Sequence, residues 1–255
     1  MFFDYHYLLE LFPQIIKAFP VTFFIVTIST IVGLLLGLIL AVVRIERVPL
    51  FNQLAIVYTS FIQGTPVIVQ LFIVYYGVPS LLSKVGIDTS NVSKLTFMYI
   101  AYGLNTAAYT GEIIRASVAN VPSHQFDAAY ALGMTKFQTY RYYIIPQAVK
   151  EMIPNMELSI VSLLQNSSLA TYLGIYDIMG KAQLVGANTA HQIEANIDAA
   201  VIFIILSVAI HISFKLVFLQ EDDIVSAESE EVLEDKFSII PAKESIIKKG
   251  ELSYE

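Results

Sequence analysis

The chain has 255 residues with 22 acidic and 15 basic side chains, a net charge of −7 and a mean hydropathy of +0.64. Only 15% of its residues are charged, against about 25% in soluble domains, and these crowd into a few short segments and the stretch after Gln220. A charge at the centre of a bilayer costs at least about 2.5 kcal/mol, so this distribution fits a chain built for lipid and excludes an ordinary soluble domain, while the lack of Cys and of any broad basic surface excludes disulfides, thiolate metal sites and nucleic acid as a partner.

The first twenty residues carry Asp4, Glu10 and Lys17 and no basic leader, and the apolar run that follows is too long for the core of a signal peptide, which spans about 7 to 15 residues. Residues 1–18 therefore form a leader in which FDYHYLLELF reads either as an interfacial helix or as an extended feed into the first span. A spanning helix needs about 20 mostly apolar residues, and five segments qualify: Val21–Val43, a stretch within Ile56–Leu82 broken at Gly64-Thr65-Pro66, about Leu95–Ile114, about Ile153–Ile175 and about Ala199–Leu219. With no Trp present, the 15 Tyr residues have to supply the interfacial aromatic belt. Arg44 and Arg47 follow the first span, and Arg115, Lys136, Arg141 and Lys150 follow the third. The excess of positive charge in those two loops puts them in the cytoplasm, the N-terminus outside and the C-terminus inside. The expected fold is all-α, a bundle of five membrane helices occupying residues 19–219, with a charged cytoplasmic tail over residues 220–255.

The connection between spans three and four, Arg115 to Glu151, is longer than the usual 2 to 8 residues between packed helices, yet it is not low in complexity. Pro122-Ser123 can start a helix, with Phe126, Ala129, Ala131 and Leu132 as its apolar face. Gly133 can stop it at positive φ, Thr135 can cap a second helix, and Pro146 marks the break of that helix. From composition alone the loop reads either as a surface helix lying on the bilayer or as a docking element for a soluble partner.

Four motifs then occur in order: Gly64-Thr65-Pro66-Val67-Ile68-Val69-Gln70-Leu71-Phe72, Ala108 through Arg115, His124 through Gly133 followed by Ile145-Pro146-Gln147-Ala148, and Ser167-Ser168-Leu169. Together they resemble the signature of membrane-spanning permease subunits of type I ATP-binding-cassette importers, in the polar amino acid subfamily. The resemblance covers about residues 19–219. It implies that Gln125, Asp127, Ala128, Ala129, Gly133, Thr135 and Pro146 belong to a loop that couples the spans to an ATPase subunit, with the short helix seated in a cleft of that partner. It also implies a substrate path near Thr65, Gln70, Glu157, Gln165, Ser167 and Ser168. Partners would be ATPase subunits, a second permease subunit, an extracytoplasmic solute-binding protein and membrane lipid, in a bacterial cell membrane.

The residues permit blander assignments. Asp127 is also an ordinary acid at a helix start, with Arg141 as a possible mate. Glu112 and Arg115, three apart, can form a local pair. Glu157 is either an acid within the membrane or one at headgroup depth, and the polar run Gln165 to Ser168 is either a path or glue between helices. His211 reads as a packing residue rather than a proton relay. Where the family usually carries Glu, Gly, Arg and Lys, this chain has Asp127, His124, Gln63 and Gln165, and Ser167 replaces a threonine. Losing positive charge at positions 63 and 165 leaves cystine-type and glutamine-type substrates both open.

No G-x-x-x-x-G-K-[ST] loop occurs. If the chain is an importer subunit, it is not itself an enzyme, it carries no cofactor, and ATP and Mg belong to a separate polypeptide. The competing reading is a stand-alone, ion-coupled secondary transporter or channel, for which Glu112, Glu157 and His211 are the only ionisable candidates.

Overall fold

The computed structural model describes residues 3–218, and every regular element among them is helical. Asp4 caps helix α1 (Tyr5–Ile15), its carboxylate accepting from the His6 N–H at 2.9 Å. A short 3₁₀ turn leads from α1 into α2 (Phe19–Ile45), so Tyr5–Ile45 forms one continuous, strongly apolar stretch. The leader is thus helical rather than extended. Its inward side, Leu11 and Ile15, is buried against Ile178, Ala182, Val185 and Ala199.

The turn after α2 is strained. Arg47 and Leu50 both take positive φ, +50° and +67°, where an L side chain crowds its own backbone. Helix α3 (Phe51–Gly64) ends where Thr65 and Pro66 become extended. Pro66 has no N–H to give and pushes the residue before it out of helical geometry. A second helical stretch then runs from α4 (Val67–Phe72) through a π turn (Ile73–Gly77) to α5 (Val78–Lys84).

At the centre lies α6 (Lys94–Asn120), capped by Ser93 and buried over much of its circumference. It packs along α2 at a distance that only small residues allow. Ser29, Gly33, Gly37 and Ala41 recur every four residues on the buried side of α2, opposite Gly103, Ala107 and Gly111 of α6. A methyl group at Gly33 would stand 2.5 Å from Thr106 Cγ2, and one at Gly37 would stand 2.8 Å from Thr110 Cβ. In lipid, where no hydrophobic effect drives helices together, such close approach supplies the packing energy.

Helix α7 (Ser123–Ala131) and the single turn α8 (Lys136–Thr139) follow. A π turn (Tyr140–Ile144) then carries the chain without interruption into α9 (Ile145–Asn166). Pro146 therefore does not break a helix, as its position suggested. It sits in the first turn of α9, where a missing N–H costs little, and the π turn absorbs the change of pitch. The α-helix at the expected fourth span also stops earlier than Ile175. The Ser167 and Ser168 hydroxyls each donate at 2.7 Å to the carbonyl three residues back, and the chain tightens into a 3₁₀ turn (Ser167–Leu173) that closes at Gly174, φ +72°. Helix α10 (Ile178–Thr189), absent from the sequence expectation, packs on α1. Helix α11 (Gln192–Phe218) is almost wholly apolar from Ala199 to Ile210 and favours no one side there, as befits a helix in lipid.

Among the described residues, three stretches are long and apolar enough to cross a membrane: Tyr5–Ile45, Val67–Lys84 and Gln192–Leu216. The expected spans over α6 and α9 are helices of sufficient length with more polar composition. The charged tail expected over residues 220–255 lies outside the described residues.

Candidate functional site

Helices α4, α6 and α9 enclose a cleft of about 310 Å³. Asn105, Thr106 and Tyr109 reach it from α6, and Asn155, Ser159, Ser162 and Asn166 from α9. The α9 set is spaced 4, 3 and 4 residues apart and so shares one face of that helix. Val67, Ile113, Leu158 and Leu163 complete the wall, and among the described residues no charged side chain lines it. At one end the buried Tyr102 donates its hydroxyl to the Asn166 carbonyl at 2.7 Å, fixing the point where α9 gives way to the 3₁₀ turn.

Behind the cleft stands Gln70, only 5% exposed. The two protons of its Nε2 are shared among three acceptors, the Ile62 carbonyl (2.8 Å), the Thr65 carbonyl (3.0 Å) and the Thr65 hydroxyl (2.9 Å). These are the orphan acceptors left where α3 stops. Its Oε1 accepts from Asn105 Nδ2 at 2.8 Å. Thr65 donates in turn to the Phe61 carbonyl at 2.8 Å. Gln70 and Thr65 thus form a polar knot that seals the Gly-Thr-Pro break and holds Asn105.

The other path residues named from sequence lie around the cleft rather than on its wall. Gln165 is exposed, while Ser167 is buried with its hydroxyl committed to main chain, as is that of the half-buried Ser168. Glu157 meets His211 Nδ1 at 2.7 Å, joining α9 to α11. Glu112 pairs with Arg44 of α2 and with Arg115, whose Nε lies 3.1 Å from Glu112 Oε1.

The α7–α8 loop is held from beneath. Phe126 meets the Tyr140 ring edge-on at 5.7 Å and packs with Tyr140 on Val121, Ile144 and Ala148. Burial there pushes the Tyr140 phenol above its ordinary pKa. Gln147 donates to Gln125 Oε1 at 2.6 Å, and Asn120 to Glu151 at 2.8 Å. Lys136 forms an ion pair with Glu46 that raises the lysine's pKa and ties the loop to the end of α2. Thr135 and Gln138 make a reciprocal capping box. Gly133, at φ +77°, closes α7 with the Met134 N–H donating to the Ala129 carbonyl at 3.1 Å, and open space surrounds it.

Ala129 is buried, whereas Asp127 and Ala128 face out. Two expectations need correction. Ala131 and Leu132, expected on the apolar face, are both exposed, Leu132 to 79%. Arg141 lies over the Tyr142 ring at 5.9 Å and forms no ion pair with Asp127 among the described residues. The polar face of α9 has a signature in the sequence, polar residues at i, i+4, i+7 and i+11, but the consecutive polar run from Gln165 to Ser168 overlaps and obscures it.

A polar, uncharged cleft between helices, together with stretches apolar enough to cross a membrane, fits a multi-pass membrane permease. The chain belongs to the family of binding-protein-dependent transport system inner membrane components, which matches residues 33–220. It is 38% identical to an L-cystine transport system permease protein of Bacillus subtilis, over 84% of this chain and 90% of that one. An arginine transport system permease protein of the same organism is 34% identical over 76% of this chain and 86% of its own length. The chain superposes on the crystal structure of an amino acid ABC transporter with histidines, with a TM-score of 0.76 and 28% identity, covering 86% of this chain and all of that one. A methionine ABC transporter in an inward-facing form, at 16% identity and a TM-score of 0.64, shares the fold.

Proposed function

We propose that this chain is the membrane-spanning subunit of an ATP-binding-cassette importer that carries a polar amino acid into a bacterial cell. The observation that carries the reading is the family match over residues 33–220 together with relatives that are named permeases for cystine, arginine and other amino acids. In this reading α6 and α9 join the three apolar stretches to make five spans, with the N-terminus outside and the C-terminus in the cytoplasm. The polar cleft between α6 and α9 supports the spanning role, since in lipid a polar helix face has to meet protein or water.

The α7–α8 loop couples transport to ATP. Gln125, Asp127, Ala128, Ala129, Gly133, Thr135 and Pro146 shape or present it. Exposed Asp127 and Ala128 offer a small, acidic surface to the ATPase subunit, while Ala129, Thr135 and Pro146 hold the support beneath. ATP and Mg bind in that partner. A second permease subunit and an extracytoplasmic solute-binding protein complete the assembly within the lipid. The substrate moves along the α4–α6–α9 cleft, with Thr65, Gln70, Glu157, Gln165, Ser167 and Ser168 as its supporting surround.

The reading is tested by replacing Gly133 with Trp. Open space surrounds the position, so the cost is the strain of a side chain at φ +77°, about 1 to 2 kcal/mol and local to an exposed turn, while the surface offered to the ATPase changes. Expected is a folded protein that no longer retains the ATPase and no longer supports uptake. Retention of both would remove the coupling role.

A further inference from the structure

The orientation of one buried amide dictates the polarity of the cleft. The Gln70 amino group is held by two main-chain carbonyls and a hydroxyl, at 2.8 to 3.0 Å. Carbonyl oxygens only accept, so the carboxamide cannot turn over without facing oxygen against oxygen. Its own oxygen is therefore fixed toward Asn105, which has to donate its Nδ2, at 2.8 Å. Asn105 is 8% exposed and lines the cleft. With one Nδ2 proton committed to Gln70, the amide is held in one orientation, and Asn105 keeps Oδ1 as its acceptor beside its second N–H; among the described residues nothing donates to that oxygen.

We infer that Gln70 is a positioning residue that locks Asn105 with its oxygen available to the cleft, and that Asn105 there accepts from the ammonium group of a net-neutral amino acid. The assignment rests on the amino acid path proposed above and adds its charge class. Tyr109, Ser159 and Ser162 supply hydroxyls that can serve the carboxylate. The charges nearest in sequence are engaged elsewhere: Glu112 by Arg44 and Arg115, and Glu157 by His211. A cationic or anionic substrate side chain would find no counter-charge on the cleft wall, and an unpaired charge removed from water is strongly disfavoured. A net-neutral molecule avoids that cost.

The test uses the complex of this chain with its ATPase in lipid nanodiscs, without the binding protein, so that retention reports the membrane path alone. Radiolabelled glutamine, arginine, aspartate and the 2-oxo analogue of glutamine are the probes. Wild type is expected to hold glutamine at least about tenfold more tightly than the other three, a difference of about 1.4 kcal/mol. Asn105→Asp supplies the missing counter-charge and raises arginine relative to glutamine by about tenfold or more, the same increment. Gln70→Ala frees Asn105 to turn its amide and narrows the preference for glutamine over the 2-oxo acid, whereas a purely structural role would weaken both ligands alike. Asn105→Ser, which keeps an oxygen in a smaller side chain, retains the ammonium preference if the other variants fold poorly. The inference is overturned if wild type holds arginine or aspartate as tightly as glutamine, or if Asn105→Asp leaves the ratio unchanged. An assembled complex that retains none of the amino acids overturns the amino acid path itself.

Discussion

Replacing Gly33 with Ala probes the contact that organises the bundle. The added methyl would stand 2.5 Å from Thr106 Cγ2 and 2.6 Å from Thr106 Cβ, where carbon atoms prefer about 3.5 to 4.0 Å. Thr106 Cβ is bonded to the main chain of α6 and cannot swing aside, so α2 and α6 have to part by about 1 Å over their tightest contact. Overpacking of this kind costs about 1 to 3 kcal/mol, and Ala regains about 0.5 to 1 kcal/mol of helix propensity. The net loss is up to about 2.5 kcal/mol, or up to about 10 °C in Tm for a chain of this size. Circular dichroism of the purified protein in detergent reads it. Thr106→Gly removes both clashing carbons, so the double variant should lose less than the sum of the singles, a coupling of about 0.5 kcal/mol or more. Gly64→Ala, with nothing within 4 Å, is the control and should leave Tm unchanged or higher. A Gly33→Ala protein whose effect is simply additive with Thr106→Gly would refute the close-packing argument.

Other perturbations have equally specific outcomes. Leu50→Gly relieves a positive φ at a side chain that is 67% exposed, and thermal unfolding should show a gain of about 1 kcal/mol. Glu112→Gln leaves Arg44 and Arg115 facing each other without their shared acid. Because all three are partly exposed, the loss is held to about 1 to 2 kcal/mol rather than the larger cost of breaking a fully buried pair, and it should grow at low ionic strength. Lys136→Glu repels Glu46 and loosens the α7–α8 loop; faster amide exchange over residues 123–139 would report this, and Glu46→Lys in the same chain should restore protection.

How far the sequence foretold this structure depends on how local each cause is. The sparse, clustered charge showed the bilayer at once, and Gly133 and Thr135 announced a helix stop and a cap because both act within one turn. The Gly64-Thr65-Pro66 break was legible for the same reason. The π turn that lets Pro146 sit in a continuous helix was not, since it depends on how α9 is carried upward from the loop. Nor was α10, whose burial depends on α1: Ile178 and Ala182 pack on Leu11 and Ile15, each pair far apart in the chain. The four-residue rhythm of Ser29, Gly33, Gly37 and Ala41 was present in the letters, but its meaning required the matching face of α6. Gln70 stood out as a polar residue after a break; that its amide orientation sets that of Asn105 is a property of three dimensions.

The central claim meets its most direct measurement in proteoliposomes containing this chain, its ATPase partner and, in the medium, the solute-binding protein. Uptake of a labelled polar amino acid should require ATP inside the compartment that holds the ATPase and should vanish with Gly133→Trp while the protein remains folded. Uptake driven by a proton or sodium gradient through this chain alone, with no ATPase present, would contradict the account.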